Sequence, residues 1–128
     1  EFLKLGIADK VIHMAANDHQ LAMLYRKASC LVYPSIYEGF GLPPVEAMSL
    51  NCPVIASSGG SIPEICKNAA EYFDPRNIDS IEQVLTNVLD DEQRIDQMRQ
   101  DGLKVAKSFM WDRTVLDTLN TYKRILES

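Results

Sequence analysis

The sequence lacks the features that mark several classes of protein. No apolar run approaches the length of about 20 residues that a membrane-spanning helix needs. Only three of the 128 residues are cysteines, an odd number without CxxC spacing, which argues against a disulfide framework or a zinc site. Low-complexity segments are also missing, because glycines and prolines are spread between apolar runs. One domain with its own core is therefore expected.

Positive charge is scarce as well. Lysine and arginine number 13 against 18 acidic residues, which gives a formal net charge of −5 at pH 7. Nucleic-acid binding needs basic side chains that displace counterions from phosphates, and the sequence has no basic cluster. A small phosphorylated ligand stays compatible with this charge, because backbone amides at a helix start bind phosphate without lysine.

Short β-rich runs alternate with helical patterns along the chain. Strands are predicted at residues 11–14, 30–33, 53–56 and 71–73. Amphipathic helices follow over about residues 80–128, with Trp111 expected to pack them together. This order predicts an α/β fold, a Rossmann-like parallel sheet flanked by helices. Ligands of such sheets bind in loops at the carboxyl ends of strands, here residues 35–42 and 57–60.

The first of these loops carries the candidate chemistry. Glu38 follows a predicted buried strand, and Gly39 and Gly41 let the backbone approach a ligand closely. A pair of prolines then opens a helix, whose free amides and dipole favour an anion such as a diphosphate. Glu46 falls near the first helical turn, where its carboxylate is placed to accept hydrogen bonds from a diol. Spacing alone leaves open a plain structural interpretation, with turn glycines and a dipole-complementing glutamate.

The next helix start has a recognisable local pattern. Ser61 and Glu64 have the spacing of a capping box, in which the serine caps the helix and the glutamate bonds back. The preceding loop, residues 57–60, is a candidate border of a ligand cleft.

The run Tyr33 to Met48, YPSIYEGFGLPPVEAM, closely resembles the signature of the family-4 (group 1) retaining glycosyltransferases. Further similar stretches are residues 6–11, 51–57, 61–64 and 109–111, so the resemblance covers essentially the whole chain. It implies the GT-B architecture, in which two Rossmann-like domains face a cleft and the C-terminal one binds the donor sugar nucleotide. Residues 1–128 would then be part of that donor domain, without its first strands.

The resemblance also implies roles for individual residues. Glu38 and Glu46 match the two glutamates of the family's Glu-x7-Glu motif. Glu38 would contact the transferred sugar as the catalytic residue, and Glu46 would bind the ribose hydroxyls. The amides along the sugar and the diphosphate would be those of Gly39, Phe40, Gly41 and Leu42. The base would lie near Ala15, Ala16 and Asn17, although many relatives carry glycine where this chain has Ala15.

The expected substrate is a UDP- or GDP-sugar, and the family reaction needs neither a divalent metal nor a cofactor. Relatives start their donor domain with two strands and a basic pair that stabilises the leaving group, and they add an N-terminal acceptor domain. The 128-residue chain is therefore expected to be inactive alone. The parent enzyme would transfer a hexose to a glycan or lipid-linked acceptor in the cytoplasm, with peripheral association at the inner membrane face. Alternatives are a stand-alone nucleotide-sugar-binding module and a related GT-B glucan synthase.

Overall fold

A computed structural model describes residues 3–127, and a sheet of three parallel strands forms its centre. The strands lie in the order β1 (Leu31–Tyr33), β2 (Val54–Ser57) and β3 (Ala70–Phe73). The helices are α1 (Asp18–Lys27), α2 (Leu42–Ser49), α3 (Ile62–Cys66), α4 (Ile78–Leu89), α5 (Glu92–Ala106) and α6 (Trp111–Leu126), with short 3-10 turns at Ala8–Lys10 and Lys67–Ala69. The predicted α/β class is confirmed, while Glu1, Phe2 and Ser128 lie outside the described residues.

The central strand β2 is buried along its whole length, as its continuous apolar run predicted. Val54 and Ala56 belong to a core cluster with side chains of α1, α2 and α3. Ile55 belongs to a second cluster with side chains of β3, α4 and α5. Successive side chains of a strand point to opposite faces, so both faces of β2 are covered by helices. This packing fixes the strand ends from which the candidate loops leave.

Local sequence signals explain where the first two helices begin. Asn17 caps α1 in a capping box, because its side chain accepts from the Gln20 amide at 2.9 Å and the Gln20 side chain accepts from the Asn17 amide at 3.0 Å. The second helix starts at Leu42, one residue before the proline pair that predicted it. Gly41 precedes it with φ of +98°, a left-handed conformation that favours glycine.

Two predictions about the packing of the chain are wrong. Residues 11–14 form no strand, because no neighbouring strand pairs with them within residues 3–127, and Ile12 is 85% exposed. Trp111 does not pack the last helices together, since it is 75% exposed and every side chain of α6 is exposed. Periodicity predicts an apolar face but not the surface that covers it. No helix of residues 3–127 is long and apolar enough to cross a membrane.

Candidate functional site

The two loops predicted to bind a ligand lie side by side at the carboxyl ends of β1 and β2. The Ser57 hydroxyl, at the end of β2, donates to the carbonyl of Ser35 in the loop after β1. The Ser61 hydroxyl lies 2.9 Å from the carbonyl oxygen of Glu38 and 3.1 Å from that of Phe40. The Ser61 amide also donates to the Glu38 carbonyl at 3.3 Å. The loop after β2 therefore fixes the backbone around Glu38.

Two glycines allow this close approach of the loops. A Cβ on Gly60 would lie 2.9 Å from both the amide nitrogen and the carbonyl oxygen of Glu38. A Cβ on Gly59 would overlap the carbonyl oxygen of Ile36. Gly60 also adopts a left-handed φ of +58°. Glycine is required at both positions if the loops are to keep their present separation.

The Glu38 carboxylate is held by two hydroxyl groups. Tyr33 donates to its Oε1 atom at 2.7 Å, and Ser35 donates to the same atom at 2.9 Å. These bonds, the tyrosine's first, lower the pKa of Glu38 below its ordinary value, while partial desolvation opposes them. Burial, with a contribution from the bond to Glu38, raises the pKa of Tyr33 to about 12. At neutral pH, Glu38 is an ionised acceptor and Tyr33 a protonated donor.

The amides of residues 39–42 are unpaired. None of them donates to an acceptor among the residues that the structure describes, although Gly41 itself is buried. The first four amides of a helix have no partner within the helix. At the start of α2, however, Pro43 and Pro44 carry no amide hydrogen, so the donors that remain belong to Gly41 and Leu42. Because of the two prolines, only the amides of Gly41 and Leu42 are able to bind an anion at this helix start.

Glu46 lies on α2 with an exposed side chain. It stands four residues after Leu42, and residues with this spacing share one face of a helix. A helical side chain also leans toward the N-terminus of its helix, and for Glu46 this is the end with the unpaired amides. Burial raises the pKa of Tyr25 in α1, and the negative charge of Glu46 raises it further. In sequence, Glu38 and Glu46 therefore stand on either side of the amides of residues 39–42.

The residues predicted to contact the base lie at the start of α1. Ala15 and Ala16 are exposed, and Asn17 uses its side-chain oxygen and its amide in the capping box. Within residues 3–127, no hydrogen bond connects them to Glu38 or Glu46. The sugar, diphosphate and ribose candidates therefore share one segment, to which no hydrogen bond within residues 3–127 connects the base candidates.

A family model for "Glycosyl transferases group 1" matches residues 1–105 of the chain. The chain belongs to this family. It is 41% identical over 106 residues to "O-antigen chain mannosyltransferase B" of Escherichia coli, an alignment that covers 83% of this chain and 28% of that protein. It is 32% identical over 129 residues to "MMP alpha-(1->4)-mannosyltransferase" of Mycolicibacterium hassiacum, covering 96% and 31%. The chain thus spans less than a third of the length of either relative.

Solved structures agree with this assignment to the group 1 glycosyltransferases. The C-terminal domain of a group 1 family glycosyl transferase (LpcC) from Francisella tularensis is 27% identical with a TM-score of 0.70, covering 84% of this chain and 57% of that one. A sucrose-phosphate synthase from Thermosynechococcus elongatus superposes with a TM-score of 0.88 at 24% identity, covering 98% and 33%. The second similarity concerns the fold alone.

In this glycosyltransferase chain, sequence reasoning missed the side chains that support Glu38. Tyr33 ends β1 and Ser35 follows it by two residues, and both hydroxyls contact Glu38. That spacing was the available signal. The predicted capping box at α3 is wrong, because the Ser61 hydroxyl makes no cap hydrogen bond and contacts the Glu38 loop instead. Glu64 is exposed at the start of α3.

An aromatic contact lies beside this site, and an apolar groove lies at the opposite end of β1. Phe40 packs edge-on against Phe109, with ring centroids 5.4 Å apart, which connects the Glu38 loop to the segment before α6. An apolar groove of about 440 Å³, lined by residues such as Leu21, Tyr25 and Cys30, lies at the amino end of β1. It is therefore separate from the loops at the carboxyl ends.

Within the described residues, no group of His, Cys, Asp and Glu is arranged to hold a metal.

Proposed function

We propose that this chain binds the donor nucleotide sugar of a retaining group 1 glycosyltransferase that transfers a hexose to a glycan or lipid-linked acceptor. The observation that carries this proposal is the row of unpaired amides at residues 39–42, with Glu38 before it and Glu46 after it on the same loop-to-helix segment. A nucleotide sugar has the matching chemistry, with hydroxyls at both ends and a diphosphate between them.

Each part of the proposed site has a distinct role. The amides of residues 39–42 donate to the sugar and diphosphate oxygens, which needs no lysine. Glu38 accepts hydrogen bonds from hydroxyls of the transferred sugar, next to the reacting carbon. Glu46 accepts hydrogen bonds from the ribose diol. The base lies beside Ala15, Ala16 and Asn17, whose exposed chain leaves room for it.

Catalysis of transfer needs more than these groups. The departing nucleoside diphosphate develops negative charge, and preorganised positive groups stabilise that charge. Within residues 3–127, no ion pair or hydrogen bond brings a lysine or arginine to the Glu38 loop. We therefore propose that the 128-residue chain acts as part of a donor domain and does not catalyse transfer alone. In the whole enzyme, an acceptor domain would close the cleft, in the cytoplasm at the inner face of the membrane.

The names of the curated relatives make mannose the first sugar to test. Calorimetric titration with GDP-mannose and UDP-mannose should show binding of at least one. Glu46→Gln should weaken it about 10- to 100-fold, the range for loss of charged hydrogen bonds. Glu82→Gln, a change of the same charge at an exposed position of α4, should leave it unaltered. Binding of neither nucleotide sugar at millimolar concentration would refute the proposal.

A further inference from the structure

Two hydroxyl groups converge on a single oxygen atom of Glu38. The Tyr33 and Ser35 hydroxyls both lie within hydrogen-bonding distance of Oε1, at 2.7 and 2.9 Å. The Ser35 hydroxyl also lies 3.3 Å from the carbonyl oxygen of Tyr37. Because a serine hydroxyl has one hydrogen, Ser35 divides its donor between two acceptors. The Tyr33 hydroxyl has Glu38 as its acceptor, so it is the principal support.

The bond from Tyr33 attaches a mobile side chain to a rigid element. Glutamate has three side-chain torsions, and its terminal carboxylate torsion is only weakly restricted. Glu38 stands on a loop, whereas Tyr33 is the last residue of β1 and pairs in register with Ala56 of the buried strand β2. The hydrogen bond therefore holds the Glu38 carboxylate in a fixed position relative to the sheet.

The same arrangement decides which oxygen meets the ligand. Oε1 is occupied by its two donors, while Oε2 receives no hydrogen bond from the described residues. An ionised carboxylate only accepts hydrogen bonds, so Oε2 binds a hydroxyl and repels a phosphate. The titratable group in contact with Glu38 is Tyr33, and no ion pair within residues 3–127 joins Glu38 to a lysine or arginine.

We propose that Tyr33 is a positioning residue that fixes the Glu38 carboxylate and presents its Oε2 atom to a hydroxyl of the transferred sugar, with Ser35 as a second support. The inference rests on the proposed donor site. It adds that Tyr33 affects only one part of the ligand. Through Glu38 it strengthens binding of the sugar, and it has no effect on binding of the nucleoside diphosphate.

Tyr33→Phe tests this division, and Tyr37→Phe is the matched control. Tyr37 lies in the same loop, is 79% exposed and makes no hydrogen bond through its hydroxyl among the described residues. Affinities for GDP-mannose and GDP, or for UDP-mannose and UDP, are measured for each protein. Tyr33→Phe should weaken sugar-nucleotide binding about tenfold, typical of coupled neighbours, and leave the affinity for the free diphosphate unchanged. Ser35→Ala should act in the same direction by a smaller factor.

The outcomes separate the two proposals. If the unmodified protein binds neither nucleotide sugar, the proposed function is refuted. If it binds but Tyr33→Phe leaves the affinities for both the sugar nucleotide and the diphosphate unchanged, only the role of Tyr33 is refuted. An equal loss for both ligands would also overturn it, since that result indicates a general structural defect. In a Glu38→Gln background the tyrosine substitution should have no further effect, because the group it positions is already altered.

Discussion

Replacement of Gly60 by alanine should destabilise the protein and displace the loop that carries Glu38. Two separate costs combine at this position. The left-handed φ of +58° costs an alanine about 1–2 kcal/mol. The new Cβ would also lie 2.9 Å from backbone atoms of Glu38, which cannot rotate away as a flexible side chain does. Overpacking of this kind costs about 1–3 kcal/mol. We therefore expect a loss of about 2–5 kcal/mol in the free energy of unfolding.

Three other glycines of the same site separate the two costs. Gly41 has a positive φ of +98° but would place its Cβ 3.8 Å from the nearest atom, so alanine there should cost only about 1–2 kcal/mol. Gly59 has no positive φ but would overlap a carbonyl oxygen, which predicts about 1–3 kcal/mol. Gly39 has neither problem, and its change should stay within about 0.5 kcal/mol.

Urea unfolding followed by circular dichroism measures these differences, and donor titration measures the effect on the site. For a domain of this size, the melting temperature falls by about 4 °C for each kcal/mol, so Gly60→Ala should lower it by about 8–20 °C. Gly59→Ala and Gly60→Ala should also weaken binding of the nucleotide sugar, because both displace the loop that carries Glu38. If Gly60→Ala is no less stable than Gly39→Ala, the loops do not approach each other as described.

Three further predictions concern other contacts. Arg94→Met removes the half-buried ion pair with Glu71, 2.5 Å long, and should cost about 0.5–1 kcal/mol in urea unfolding, with a smaller difference at 1 M salt. The lowered pKa of Glu38 contributes stability above the ordinary glutamate pKa, and this contribution is lost as pH falls through the lower folded value. Unfolding measured from pH 7 to pH 3 should therefore show the destabilisation by Tyr33→Phe shrinking at low pH; a constant difference would contradict this. Phe109→Leu should lose the edge-on contact with Phe40, about 0.5–1.5 kcal/mol, visible as a lower melting temperature.

Elements whose signal is local could be predicted from the sequence. The apolar run at residues 53–56 predicted a buried strand, and β2 is buried at every position. The proline pair predicted the start of α2 to within one residue. In both cases the signal comes from the backbone limits of proline or from an unbroken apolar run, and neighbouring residues decide the outcome. The loop-to-helix segment of the site followed from these two elements.

Elements whose state depends on a partner could not be predicted in the same way. Residues 11–14 have a strand-like composition, but a strand exists only where another backbone pairs with it. The face of α6 has apolar side chains at helical spacing, yet Leu119 is 48% and Tyr122 61% exposed. The second predicted strand is present at Leu31–Tyr33 at an edge of the described sheet, but the expectation that it is buried is wrong, since none of its residues is buried and Val32 is 38% exposed. Periodicity states what a segment is able to bury, and the surrounding structure decides whether it does.

Ser61 shows the same limit at the site itself. Its spacing to Glu64 predicts a capping box, but its backbone has φ of −81° and ψ of −7°, a helical conformation and not the extended one of a capping residue. Absence of the side-chain cap costs a helix roughly 0.5–2 kcal/mol, and the carbonyl contacts to Glu38 and Phe40 offset this loss. Those carbonyls lie more than 20 residues away in sequence, so no local pattern reports them. A residue that breaks a local rule to support a distant loop belongs with the functional site more than with its helix.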